Sequence, residues 1–150
     1  MNIKNQRKNI TLLPDGRLFS WYDSGPETGT PVVFCTGAGM SGSAGFGIPY
    51  LADNNIRLIT PDRPGLGDSS PDAGKSLKSF AADVTFLMQS LDYTRFSAAG
   101  FSQGAVYAMA VAYYAQVSAL ALISGQDQFD YPPTRALLSA DIIDMRSEEH

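Results

Sequence analysis

Residues 95–115, RFSAAGFSQGAVYAMAVAYYA, decide the reading of this chain. A short apolar run, Phe96 to Ala99, leads straight into Gly100-Phe101-Ser102-Gln103-Gly104, and a long helical run follows without a linker. G-x-S-x-G set between a strand and a helix is the context in which its serine is a nucleophile on a sharp turn. Such a turn forces the serine backbone into a strained conformation. Glycines two before and two after it remove the Cβ atoms that would clash as strand and helix are drawn together. Ser102 then presents its hydroxyl at a helix N-terminus, where free N–H groups and the helix dipole favour developing negative charge. A small-residue turn capping a helix is the competing account. It explains the pentapeptide alone but not its flanks.

Working outward, residues 9–13 and 17–23 are β-prone runs on either side of Pro14-Asp15-Gly16, which predicts an antiparallel hairpin. PVVFCT (31–36) is near-continuously apolar, as expected of a parallel strand buried on both faces. Residues 43–53 predict a short, poor helix, because Gly45, Gly47 and Pro49 interrupt it. IRLITPD (56–62) is the next strand, followed by the Gly/Pro-rich loop RPGLGDSSPDAG. Ser79 is expected to open a helix along which Phe80, Val84, Leu87, Met88 and Leu91 recur at helical spacing, with Asp83 suited to its N-terminal part. Strand 95–99, helix 103–115 and strand 118–124 (SALALIS) complete a βαβαβαβ pattern, which predicts a parallel sheet with covering helices. A polar stretch follows Gly125, then a helical pattern over about 135–145. Tyr107, Met109, Tyr113 and Tyr114, on the helix after Ser102, read as packing residues and not as a ligand box.

At 150 residues the chain makes one domain at most. Its net charge of −4, with no basic block, leaves no electrostatic footprint for nucleic acid or anionic membranes. The N-terminus MNIKNQRKNI lacks the apolar stretch of a secretory signal, and no run approaches the ~20 apolar residues needed to span a bilayer. Cys35 is the only cysteine, which excludes a disulfide framework within the chain and a thiol metal cluster; a buried small apolar residue is its expected role. The cytoplasm is the expected location, and no metal or organic cofactor is implied.

Three motifs together resemble the α/β-hydrolase fold family. They are GFSQG at 100–104, Thr36-Gly37-Ala38-Gly39 after the third strand, and Asp62-Arg63-Pro64-Gly65-Leu66-Gly67-Asp68-Ser69, similar to the family's D-x-P-G-x-G-x-S loop. The resemblance covers about residues 10–125. It implies a mostly parallel α/β sheet with an N-terminal antiparallel hairpin, truncated after about strand six, with 126–150 as the start of a cap or lid segment. It also implies site roles. Ser102 falls on the nucleophile, while the backbone N–H groups of Ala38 and Gln103 fall on the oxyanion hole. Thr36 stands where the family commonly has histidine, a change that alters the loop's internal hydrogen bonds without removing a backbone donor.

A serine nucleophile of this type needs a histidine base, and the only histidine is His150, the last residue. Asp127, after strand six, is the candidate acid; for Asp127 and Asp130 alike, loop capping is the competing account. The expectation is an N-terminal half of a longer hydrolase, inactive in this form, acting as a whole on a small ester, thioester or amide. Residues 118–124 form a long apolar sheet edge in that reading, so the isolated chain is expected to aggregate or to pair as a homodimer there.

Other readings stand beside it. Gly37-Ala-Gly39-Met-Ser-Gly42 is a literal G-x-G-x-x-G after a strand, and Asp62 ends the next strand, which is the pattern of a dinucleotide-binding Rossmann domain. A non-catalytic binding member of the hydrolase fold is favoured by the missing histidine. Cofactor-free haloperoxidase or perhydrolase chemistry would use the same triad.

Overall fold

The computed structural model describes residues 6–125 and 131–137. Turn chemistry opens the fold. Strands β1 (Gln6–Leu12) and β2 (Leu18–Ser24) pair antiparallel. Between them Gly16 N–H donates to Leu13 O at 2.9 Å and Leu13 N–H to Arg17 O at 2.9 Å. Gly16 has φ +87°, the left-handed position that closes a three-residue hairpin loop. This is the hairpin that Pro14-Asp15-Gly16 predicts. Arg17 then reaches across to helix α2 (Leu77–Ser90), donating through Nη1 and Nη2 to the two carboxylate oxygens of Asp83 at 2.9 and 2.8 Å.

Strands β3 (Thr30–Cys35), β4 (Ile56–Pro61), β5 (Phe96–Phe101) and β6 (Val117–Ile123) complete one sheet in the order β1-β2-β4-β3-β5-β6. β2 meets β4 antiparallel, whereas the pairs β4–β3, β3–β5 and β5–β6 are parallel. β3 therefore has its successor β4 on one side and β5 on the other. Right-handed crossovers running in opposite directions place their helices on opposite faces. Helices α2 and α3 (Gly104–Tyr114) cover one face, over Phe19, Trp21, Val33, Ile59, Phe96 and Ala98. The short helix α1 (Ile48–Leu51) lies on the other, beside Phe34 and Leu58. Neighbours Val33 and Phe34, like Leu58 and Ile59, thus face opposite cores, which is why these strands read as continuous apolar runs. Full burial of side chains such as Phe80, Leu87 and Met88 contributes about 1.5–3 kcal/mol each.

Several boundaries differ from expectation for local reasons. α2 starts at Leu77, not Ser79, because Ser76 is its N-cap: Ser79 N–H donates to Ser76 Oγ at 3.0 Å while Ser76 N–H donates to Ser79 Oγ at 2.9 Å. Asp83 serves as the buried partner of Arg17 instead of a helix-terminal acid. Residues 43–53 break into a 3-10 turn, Gly42–Ala44, and α1, separated by Gly45 and Gly47 at φ +67° and +61°. Tyr107 packs edge-on against Phe80, ring centroids 5.1 Å apart. Met109, Tyr113 and Tyr114, also expected to pack, are exposed instead. β6 lies at the sheet edge with Leu120, Leu122 and Ile123 exposed. Of the helical pattern expected over about 135–145, only residues 135–137 fall within the described residues, Arg135 ending the short helix α4 (Pro132–Arg135). No helix among the described residues is long and apolar enough to cross a membrane.

Cys35, at the end of β3, is buried as the sequence implies. Burial pushes its thiol up to about 12 from the usual 9.0, against a smaller downward pull from the Arg63 charge. The unfolded chain therefore releases this proton first, and the thiol's stabilising contribution, complete below pH 9, is lost progressively between pH 9 and 12. Between pH 8 and pH 10 the wild-type protein is expected to lose about 1.4 kcal/mol more stability than Cys35→Ala in urea titrations. Equal losses in the two proteins would show that the thiol does not carry this dependence.

Candidate active site

The site begins where β5 ends. Strand geometry persists through Phe101, and Ser102 then turns to φ +54°, a left-handed conformation that costs a non-glycine residue roughly 1–3 kcal/mol. Its two peptide bonds are tied down on either side. Ser102 N–H donates to Ile123 O at the end of β6 at 3.0 Å, and Ser102 O accepts from Ala105 N–H at 3.0 Å. Gln103, in helical conformation, is the cap residue from which α3 departs.

The flanking glycines are required by contact. A Cβ on Gly100 would lie 2.4 Å from Gly104 O and 2.7 Å from Ala105 Cα, so strand and helix do meet there as expected. Gly104 meets something else. Its Cβ would fall 2.1 Å from Cys35 O and 2.5 Å from Thr36 O, at the end of the neighbouring strand β3. The pentapeptide is thus wedged against β3 as well as folded on itself.

That second contact brings the two predicted halves of the site together. Register pairs Cys35 with Gly100, so the loop Thr36–Gly39 leaves the sheet beside the Ser102 turn. A Cβ on Gly37 would sit 3.4 Å from the Phe101 ring. Thr36, in the place of the expected histidine, donates its hydroxyl to Met40 O at 2.7 Å and so closes the loop on itself. Gly37 O accepts from Met40 N–H at 3.3 Å and from Arg63 Nη2 at 2.6 Å. Both loops emerge from the carboxyl ends of β3 and β5, where the winding of the sheet reverses. In open α/β sheets that crevice is where ligands bind.

The Asp62–Ser69 loop forms the underside of this arrangement. Asp62 is fully buried; its Oδ1 accepts from Gly42 N–H at 2.8 Å and its Oδ2 from Ser20 Oγ at 2.7 Å. Ser69 Oγ donates to Asp62 O at 2.8 Å and accepts from Ser20 N–H at 2.9 Å. Gly67 has φ +54°, and a Cβ there would lie 2.2 Å from Asp62 Oδ2. These contacts overturn the dinucleotide reading. Asp62 is spent on holding the glycine loop itself, and the 3-10 turn Gly42–Ala44 supplies no regular helix whose N-terminus could receive a pyrophosphate.

The turn carrying Ser102 and Gln103 and the loop carrying Ala38 therefore leave the sheet at the ends of adjacent strands. Asp127, Asp130 and His150 lie outside the described residues. Arg63 was visible in its motif but received no role from the sequence. It is buried, holds Gly37 O, and lies over the Tyr107 ring at 4.7 Å from the centroid.

A model of the alpha/beta hydrolase fold family matches residues 30–141. The chain belongs to that family. Among curated relatives of this α/β-hydrolase chain is the dihydrolipoyllysine-residue acetyltransferase component of the acetoin cleaving system of Pseudomonas putida, 34% identical over 113 residues. That match covers 73% of this chain and 30% of the relative. The ligand-free epoxide hydrolase CorEH is similar in structure, with a TM-score of 0.68, 25% identity and coverage of 85% of this chain and 47% of that one. A hydrolase from Pseudomonas aeruginosa PA01 superposes with a TM-score of 0.72 at 19% identity, covering 95% of this chain and 57% of its own. The chain thus spans less than a third of the curated relative and about half of the two solved α/β hydrolases.

Proposed function

We propose that the protein carrying this chain is a serine-type hydrolase of a small, largely apolar ester, thioester or amide. The observation that supports this best is Ser102 at φ +54°, flanked by Gly100, whose missing Cβ lets strand and helix meet, and Gly104, whose missing Cβ lets the turn seat against β3. A strained residue at the carboxyl end of a central strand is where function is to be sought.

In this reading Ser102 Oγ attacks the acyl carbon, and its proton passes to a histidine outside the described residues, with Asp127 as the orienting acid. The carbonyl oxygen becomes an oxyanion received by the N–H groups of Ala38 and Gln103. The bond to the leaving oxygen, sulfur or nitrogen then breaks, and that atom takes the proton from the histidine. Water, deprotonated by the same base, attacks the acyl-Ser102 ester and releases the acid and the free serine.

A fluorophosphonate probe tests the reading without knowledge of the substrate. The full-length protein is expected to gain one probe mass, mapped by peptide analysis to Ser102, and Ser102→Ala is expected to gain none. A folded protein that remains unlabelled at Ser102 would instead be the non-catalytic binding member of the fold.

A further inference from the structure

We infer that Arg63 is a positioning residue for the oxyanion hole: its guanidinium holds the Gly37 carbonyl and so fixes the peptide whose N–H belongs to Ala38. The inference rests on the proposed role of that N–H. Gly37 O and Ala38 N–H are the two ends of one planar trans peptide, so they point in opposite directions. Whatever grips the oxygen sets the aim of the N–H. Two donors grip it. The Met40 N–H bond, at 3.3 Å, is long; the Arg63 bond, at 2.6 Å, is short and charge-assisted. A cation on the carbonyl also polarises the peptide and strengthens its N–H as a donor.

Arg63 is itself held from several directions. It is buried, and its guanidinium stacks on Tyr107, which belongs to the helix that Ser102 opens and which packs on Phe80. Its neighbour Asp62 is pinned to Ser20 and Gly42. The loop after β3, the loop after β4 and the helix after Ser102 thus meet on one side chain. A shift in any of them reaches the Ala38 peptide through it.

The test uses the fluorophosphonate reaction of the full-length protein, resolved into a reversible binding constant and a maximal rate of Ser102 phosphonylation. Losing one oxyanion donor outright costs about 10²–10³ in rate, so mis-aiming one in Arg63→Met is expected to lower the maximal rate roughly 10–100-fold. Binding is expected to change less than about threefold, because the probe's body does not depend on this peptide. Arg63→Lys, which keeps a charged donor, is expected to recover most of the rate. An unchanged maximal rate in Arg63→Met, equal losses in Met and Lys, or a change confined to binding would each overturn the inference. If Arg63→Met does not fold, Tyr107→Leu decides. It loosens the stack but leaves the Gly37 bond available, and should slow phosphonylation without changing binding; an unaltered rate overturns the role.

A second readout does not depend on Ser102. The backbone amide signal of Ala38 is expected to shift in Arg63→Met and to return towards its wild-type position in Arg63→Lys. If the wild-type protein is not labelled at all, the hydrolase reading fails on its own, and the Ala38 signal still decides whether Arg63 orients that peptide. An unmoved signal means that it does not.

Discussion

Gly104→Ala is expected to destabilise the protein by more than about 3 kcal/mol, at the upper end of what overpacking costs. The added Cβ would lie 2.1 Å from Cys35 O, 2.5 Å from Thr36 O and 2.6 Å from Cys35 C, all of them backbone atoms. A side chain could rotate away. These atoms cannot, because β3 is hydrogen-bonded to β4 on one side and β5 on the other. Relief requires α3 to lift off the sheet, which would strip Ala105, Ala108 and Val111 from the core. Gly125→Ala is the matched control, since among the described residues its Cβ meets nothing nearer than Ala105 Cβ at 3.4 Å. That change is expected to stay within about 0.5 kcal/mol. Urea titrations giving the two variants equal midpoints would show that the wedge against β3 is not tight.

Asp62→Ala is expected to cost about 3–5 kcal/mol, because it leaves two buried donors, Gly42 N–H and the Ser20 hydroxyl, without their acceptor. Asp62→Asn separates hydrogen bonding from charge. The amide oxygen can accept from Gly42 N–H while the amide NH₂ donates to Ser20 Oγ, whose hydrogen can turn towards Ser69 Oγ at 3.4 Å. A loss of only about 1–1.5 kcal/mol is expected for asparagine. Equal losses for alanine and asparagine would mean that the negative charge, and not the two acceptors, is what this pocket requires. Thermal and urea unfolding of the full-length protein decide between them.

Much of this was legible because the informative residues act locally. Pro14-Asp15-Gly16 makes its hairpin from its own backbone preferences, and apolar runs such as PVVFCT mark strands buried on both faces. GFSQG identified the turn and the glycines that permit it. What escaped notice depends on partners distant in sequence. Gly104 is constrained by Cys35 and Thr36, Asp83 by Arg17, and Asp62 by Ser20 and Gly42. No periodicity encodes such pairings. Asp62 also fits the rival dinucleotide pattern, because the spacing between a glycine loop and an acid is the same whether the acid receives a ribose or ties down the loop. The start of α2 was missed for a smaller reason: two serines three apart are both plausible caps, and only their reciprocal hydrogen bonds assign Ser76 to that position.

The pairing of Cys35 with Gly100 also governs how the molecule comes to be made. These residues are sixty-five positions apart, and the hairpin and β4 with its loops lie at one side of that union. Joining ends so distant carries a loop-closure penalty, so pairings of this kind are expected to form late. During refolding, the hairpin and α2 can gain structure early from near neighbours. The Ser102 turn, tied to β6 and to its own helix, lacks its contact with Cys35 and Thr36 until β3 arrives. Seating of the Ser102 turn against β3 and completion of the central sheet are then expected to coincide during refolding.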